Sequence, residues 1–371
     1  MNKKTDWHFA RPELAESYLN IFSLGLTSAR GLFARRRMGK TEFLKEDLIP
    51  AAKKQNYNIV YVNLWELEID PATALVSEFY RAVEPTGFDK IWNKLKLPVS
   101  KLRASGKIPY LGEASVEIDS NEQKKITGTL LMEAMHVFDK TDFSLLFIID
   151  EAQVLAYEEN SHFAHALRAA LDIRKDRIKV LFAGSSENTL RKMFGVPSEP
   201  FYNWAPLEAF DLLGSEFVKS MVDHVNNISK FPLSFDEAFY AFEQLKNTPE
   251  FFRRYIEYYL IHPMKGSDEA LKITKEKVFN DKNFKNQWGT LLPADKIILF
   301  MIANGETDLH GKSILQKLSM ALGVDEGINK NTTHNALRRL ANKNIITKIK
   351  YGIYQFEDEA FSDWVKYQDH D

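Results

Sequence analysis

The chain has 371 residues, 44% hydrophobic and 27% charged, with 49 basic side chains against 51 acidic ones. That composition supplies apolar material for more than one core and excludes a disordered chain, while the near-zero net charge excludes a global polycationic field, so any nucleic-acid surface has to arise from local segregation of charge. The absence of cysteine removes disulfides and thiolate metal sites and points to a reducing compartment, the cytoplasm; no apolar run reaches the roughly 18 residues a membrane span needs, and "MNKKTDWHFARPELAE" lacks the apolar stretch of a secretory signal.

In chain order, "FARPELAE" (9–16) opens a helix with Pro12 near its first turn. A short β-like run, "GLFA" (31–34), is followed by "RRRM" and then by the helical "GKTEFLKEDLIPAA". Strand, turn and helix in that order make a phosphate-binding loop, because backbone N–H groups in the turn and the helix N-terminus both favour an anion. In that loop, residues Ala34, Arg35, Arg36, Arg37, Met38, Gly39, Lys40, Thr41 and Glu42 would surround the ligand. Gly39 would let the backbone approach the phosphates, Lys40 would reach the β- and γ-phosphates, and the Thr41 hydroxyl would ligate Mg²⁺. Alanine at position 34 costs little if its φ is negative. Arginines in the middle are tolerable because the cradle is mostly main chain.

A helical stretch (41–55), the β-like run "NIVYVNLW" (58–65) and a second helical stretch (72–83) come next. The segment "KLPVSKLRASGKIPYLGEASVEIDS" reads as a β-hairpin or extended loop; Lys101, Arg103 and Lys107 face either DNA or a partner, or the ribbon is simply solvated. After a helix over 122–138, "LLFIID" (145–150) is a buried strand ending in two carboxylates. Asp150 would sit at the carboxyl edge of the sheet, where it can share the Mg²⁺ with Thr41, and Glu151 beside it can polarise water. Beyond a helix over 163–175, "KVLFAGS" (179–185) is a further strand, at whose end Ser185 or Ser186 could bond a terminal phosphate or the attacking water.

From about Glu208 the β-like runs stop and aromatic-rich helical patterns run to about 286. After "NQWGTLLPAD", the pattern is "PADKIILFMIAN", "KSILQKLSMALG", "KNTTHNALRRLANKNII" and "TKIKYGIYQFED": helix, helix, recognition helix and β-wing. On the third helix Thr333, Ala336, Leu337 and Leu340 recur at core-facing spacing, leaving His334, Asn335, Arg338, Arg339 and Asn342 outward. Lys330, His334, Arg338, Arg339, Lys343, Lys348 and Lys350 are the nucleic-acid candidates, and 330–350 contains no Asp or Glu, as duplex phosphates require. Winged helices also dock proteins, so both readings stand here.

The fold class is therefore α/β: a P-loop NTPase parallel sheet flanked by helices (1–206), a helical lid (207–286) and a winged-helix domain (287–371). The phosphate loop, the Asp150–Glu151 strand and the Ser185–Ser186 strand end together resemble the AAA+/STAND superfamily of P-loop ATPases, in the branch first described from archaea, over roughly residues 7 to 260. The resemblance implies ATP and Mg²⁺ as cofactors, catalytic roles for Lys40 and Glu151, and the sensor 1 role for Ser185 or Ser186. It also implies that Arg11 and Pro12 lie against the adenine, although the same residues suit an ordinary helix start. In "NTPEFFRRYIEYYL", Arg253 or Arg254 would be the sensor 2 arginine. Where relatives carry an arginine near "PFYGR", this chain reads "EPFYNW", with Asn203 and Trp204 there. That leaves Arg174, Arg177 and Arg191 as finger candidates by location only.

Three functions follow. The first is an ATP-hydrolysing regulator that couples nucleotide state to duplex DNA through its winged helix. The second is a STAND-type switch that oligomerises on ATP and docks a protein partner or separate effector. The third is a nucleotide-binding module without turnover. None calls for a membrane.

Overall fold

The computed structural model describes residues 7–65, 71–83, 120–157, 160–279, 282–306, 309, 311–323, 330–350, 353–366 and 368. The proposed ribbon with Lys101, Arg103 and Lys107 lies outside them.

Helix α1 (Pro12–Ser23) precedes β1 (Ala29–Phe33), and α2 follows the loop as one continuous run over 40–54. Its middle, Phe43–Leu48, is π-helical. Pro50 explains the wider turn, since it brings no N–H and its ring crowds the carbonyl one turn back. Then come β2 (Tyr57–Asn63), α3 (Pro71–Val83), α4 (Ser120–Asp139), β3 (Ser144–Asp150), α5 (Ser161–Asp172), β4 (Ile178–Gly184) and α6 (Glu187–Gly195). All four β-like runs and the helices between them stand where the periodicity puts them, within a few residues.

The sheet has a fifth strand, β5 (Leu207–Ala209), parallel to β1. Sequence periodicity misses it because three residues show no alternation. The sheet thus extends past the expected boundary at 206. Its order is β2-β3-β4-β1-β5, all parallel, which puts the loop-bearing strand between β4 and β5. β3 and β4 are the central strands, and their residues run almost wholly buried because helices cover both faces. Leu146 and Ile148 face α1 and α2, in a cluster with Leu19, Phe22 and Leu48. Leu145, Phe147 and Ile149 face α3, α4 and α5, among Phe79, Phe138 and Leu167. Alternation along one strand therefore feeds two separate cores.

Beyond the sheet run α7 (Ser215–Ile228), α8 (Phe235–Gln244), α9 (Pro249–Ile261), α10 (Gly266–Phe279) and α11 (Lys282–Gly289). The start of α8 is fixed by a capping box between Ser234 and Glu237. Then follow α12 (Pro293–Ala303), α13 (Lys312–Ala321), α14 (Lys330–Asn342), an antiparallel pair β6 (Ile346–Lys350) and β7 (Ile353–Phe356), and α15 (Glu359–Lys366). On α14, Thr333, Ala336, Leu337 and Leu340 are buried as their spacing requires. One apolar core runs from Phe217 to Val365, so it crosses 286/287 without a break. Phe284 and Trp288 of α11 meet Phe361 and Trp364 of α15 at ring distances of 5.2 and 5.8 Å. Among the described residues no helix is long and apolar enough to cross a membrane.

Candidate functional site

The loop leaves β1 at Phe33, and Ala34 is buried, its N–H donating to the Gly184 carbonyl at 3.2 Å. Alanine is accommodated at position 34 because the left-handed backbone falls later, at Arg37 (φ 68) and Gly39 (φ 85). Gly39 takes that conformation freely; Arg37 carries strain of order 1 kcal/mol. Its side chain supplies the hold: the guanidinium lies 5.1 Å from the Phe251 ring centre and pairs with Asp358 at 2.7 Å and Glu250 at 3.6 Å. Arg36 is exposed and lies over Trp65 at 4.2 Å. Met38 is buried in the core beneath the loop.

At the head of α2, Lys40 Nζ lies 3.0 Å from Asp150 Oδ1 and 3.8 Å from Glu151. The Thr41 hydroxyl donates to Asp150 Oδ2 at 2.7 Å, the Tyr61 hydroxyl to the same oxygen at 3.2 Å, and the Glu151 N–H to Oδ1 at 3.0 Å. Asp150 is fully buried, and these donors take the place of water around its two oxygens. Glu151 is left-handed (φ 56) and mostly buried. Its Oε2 accepts from the Ser185 hydroxyl at 2.8 Å and from Gln153 Nε2 at 2.6 Å, leaving Oε1 toward the cleft side, where Lys40 stands. Gly184 permits this arrangement: a Cβ there would sit 2.3 Å from Gln153 Oε1.

Of the two serines, Ser185 is the one at the site. Ser186 is turned away: it caps α6 by accepting from the Thr189 N–H, and its hydroxyl donates to Asn344 Oδ1 at 2.9 Å. Of the two arginines, Arg253 borders the cleft and holds both oxygens of Glu42 at 2.7 Å and the Trp7 carbonyl at 2.9 Å. Arg254 does not reach it; it pairs with Glu250 one turn back on α9, half-exposed. Pro12 opens α1 on the surface, as a helix start does, and plays no part in the cleft. Arg11 borders a small hollow beside the cleft rather than the cleft itself, donating to the Asp211 carbonyl at 2.7 Å with its guanidinium 4.7 Å from the Phe210 ring centre.

The finger candidates are tied into the scaffold or helix surface. Arg174 pairs with Asp139, Arg177 with the carbonyl of Phe143, and Arg191 with Glu187. Trp204 is buried and donates to Asp172.

A cleft of about 520 Å³ opens over the loop, bordered by residues 35–42 together with Trp65, Glu151, Ser185 and Arg253. Beside it lies a tight hollow of about 20 Å³ between the N-terminal segment, α2 and Phe210, with Arg253 and Glu42 bordering both. His8 spans its floor, one ring nitrogen 2.9 Å from Glu42 and the other 3.0 Å from Asp47. Burial works against a charged imidazole there, but the two carboxylates outweigh it, so its pKa is raised. Burial likewise opposes the Glu42 charge, and Arg253 and His8 overcome it, so that pKa is lowered. Tyr61, Gln153, His8 and Asp47 are absent from the sequence reading. Gln153 lies two residues past Glu151 and was within reach of it; the others meet the site only through the fold.

On α14, His334, Asn335, Arg338 and Asn342 are exposed, as expected. Arg339 is not a free outward cation. It forms a bidentate pair with Asp295 of α12, an almost fully buried carboxylate, with its shortest contact at 2.6 Å. The expectation considered only the acid-free 330–350 stretch, and the partner comes from 44 residues earlier. Lys343 is exposed and reaches the Thr290 carbonyl at 3.3 Å. The side chains of Lys330, Lys348 and Lys350 lie outside the described residues.

No protein-family model matches the sequence, and no curated protein matches it significantly. Among solved structures the chain is similar to a Walker-type ATPase of Pyrococcus abyssi, with 18% identity and a TM-score of 0.61, covering 96% of this chain and 95% of that one. It is also similar to the ORC2 protein of Aeropyrum pernix, solved in ADPNP–ADP complexes, with 14% identity and a TM-score of 0.55 over 95% and 92% of the two chains. At these identities the likeness shows the fold alone: the α/β fold of P-loop NTPases, a parallel sheet flanked by helices, followed by a helical region.

Proposed function

We propose that this chain binds ATP with Mg²⁺, hydrolyses it, and passes its nucleotide state to a C-terminal winged-helix unit that engages duplex DNA. One observation carries the ATPase reading. Lys40 and Thr41, at the head of a helix entered through left-handed Gly39, both bond the buried Asp150, with Glu151 held beside them by Ser185 and Gln153. Thr41 and Asp150 offer the hard oxygen donors that suit Mg²⁺, an ion that keeps water and phosphate oxygens for its other positions and, when bound, neutralises the β,γ-oxygens.

Lys40 exchanges Asp150 for the incoming phosphates and stabilises charge as it develops on them. Glu151 orients the attacking water, its free oxygen set by the two donors on the other. Ser185 acts through Glu151, and Arg253 through its hold, from α9, on Glu42 at the end of the loop. The 287–371 unit serves as the winged helix, with Arg338, His334 and Lys343 on its outer face.

A second reading, a STAND-type switch docking a protein partner or separate effector, is favoured by the Arg339–Asp295 pair, which subtracts a cation from the helix face. Steady-state ATP hydrolysis with and without duplex DNA, with Glu151→Gln as the blank, tests the proposal. Stimulation by DNA supports it. Turnover indifferent to DNA moves the winged helix to the protein-docking reading, and turnover equal to the blank removes the hydrolase.

A further inference from the structure

Three of the cations that line the phosphate cleft are held by carboxylates: Lys40 by Asp150, Arg37 by Asp358 and Arg253 by Glu42. Arg36 lines the same cleft and is placed differently. Its guanidinium stands 4.2 Å from the centre of the Trp65 ring, it is exposed, and among the described residues no carboxylate pairs with it. The ring that holds it has a fixed place. In the parallel register Asn63, the last residue of β2, lies opposite Asp150, and the Leu64 N–H donates to the Asp150 carbonyl at 3.0 Å. The Trp65 N–H in turn donates to Asn63 Oδ1 at 3.0 Å. Trp65 therefore stands at the carboxyl edge of the sheet, beside the strand that ends in Asp150 and Glu151, and it borders the cleft together with Glu151. Arg36 is a loop cation stationed at the edge where water would attack.

An aromatic face holds a guanidinium only weakly at an exposed site, whereas a phosphate takes it through two parallel charge-assisted bonds. A terminal phosphate arriving beside Lys40 and Glu151 therefore draws Arg36 off its ring, while Arg37 and Arg253 would first have to part from a carboxylate. We infer that Arg36 is a catalytic residue of the proposed hydrolysis and that it acts within its own chain. This deepens the nucleotide reading of the cleft and rests on it. In the reaction the water oxygen bonds to the γ-phosphorus as the bond from phosphorus to the β,γ-bridging oxygen breaks; the water's proton passes to Glu151, and ADP and phosphate are left. Arg36 exchanges no atom. It offsets the charge spread over the γ-oxygens while those bonds change. The arginines outside the loop leave that task open, since Arg174, Arg177 and Arg191 are bonded elsewhere. Because Arg36 belongs to the loop that cradles the nucleotide, no second chain has to supply it.

The test compares wild type, Arg36→Ala and Arg36→Lys as full chains; the side chain is exposed, so neither change disturbs a core. Calorimetry reads the affinity for ATP and for ADP with aluminium fluoride, a mimic of the phosphoryl group in transfer, and phosphate release reads turnover. Arg36→Ala is expected to bind ATP nearly as wild type does, yet to lose about 10² to 10³-fold both in kcat and in affinity for ADP with aluminium fluoride. Arg36→Lys should recover part of both. On adding ATP, wild-type indole emission should change as the guanidinium leaves Trp65, and that change should be missing from Arg36→Ala and from Trp65→Phe. A mixture of Arg36→Ala with Glu151→Gln should restore no turnover, because each site lacks a group that its own chain must supply. Equal affinity of wild type and Arg36→Ala for ADP with aluminium fluoride would overturn the inference. So would turnover regained in the mixture, which would assign Arg36 to a neighbouring subunit's site. Failure of wild type to bind ATP removes the nucleotide reading itself.

Discussion

Arg37, in the middle of the phosphate loop, is ion-paired at 2.7 Å with Asp358, 321 residues further along the chain. The loop is thereby fastened to the turn between β7 and α15, and Glu250 at the start of α9 stands 3.6 Å from the same guanidinium. Both carboxylates are partly exposed, so a double-mutant cycle with Arg37→Ala and Asp358→Ala should give a coupling of about 1 kcal/mol or less in urea unfolding. Strict additivity of the single changes would show that the pair contributes nothing.

The buried contacts of Asp150 set the expectation for catalysis. Lys40→Ala should lose ATP affinity by at least about tenfold, and Glu151→Gln should bind ATP yet turn it over about 10² to 10⁴ times more slowly. Binding is read by calorimetry and turnover by phosphate release. Tight ATP binding by the Lys40 variant would contradict the assignment of the loop.

The two adjacent serines separate cleanly. Ser185→Ala removes a 2.8 Å bond to Glu151 and should lower kcat with little change in KM. Ser186→Ala removes the contact to Asn344 and the cap of α6, so it should cost about 1 kcal/mol of stability with kcat kept. The reverse pattern would exchange their roles.

Arg338 and Arg339 should likewise part company. Arg338→Ala should weaken duplex binding and reduce the salt slope by about one unit. Arg339→Ala should act on stability, by about 1 to 3 kcal/mol, because it strands the Asp295 carboxylate, 2% exposed. Equal losses of slope from the two variants would mean that Arg339 leaves Asp295 for DNA.

His8 gives stability a pH dependence. Its two carboxylate partners outweigh burial and raise its pKa, so the folded chain favours the protonated ring. That contribution is complete below the ordinary value of 6.5 and is lost as pH rises through the higher folded value. The Tm of wild type should therefore lead that of His8→Gln at mildly acid pH, and the lead should shrink on moving to mildly alkaline pH. A constant difference would show that folding leaves the pKa of the ring unchanged.

What the sequence makes legible is whatever is local or periodic. The four longer strands, α2 after its loop, and Lys40, Thr41, Asp150 and Glu151 as a group could be read from strand ends and motif spacing. The core face of α14 followed from helical spacing. The choices that stayed open depended on partners far away in the chain. Ser185 differs from Ser186 because Asn344 takes the second hydroxyl, and Arg253 differs from Arg254 because Glu42 stands beside only the first. Arg339 looked free because Asp295 lies on another helix. β5 escaped because three residues carry no period, and its pairing with β1 is what makes it a strand.

The unbroken core from Phe217 to Val365 has a mechanical meaning. Close-packed interiors transmit displacement rather than absorb it, and α9 and α14 both contribute side chains to that core, Phe252 and Tyr255 from the first and Leu337 and Leu340 from the second. On the proposed function, a tilt of α9 where Glu250 and Arg253 border the cleft would carry α14 with it. A small rotation at that end would become a longer arc at Arg338.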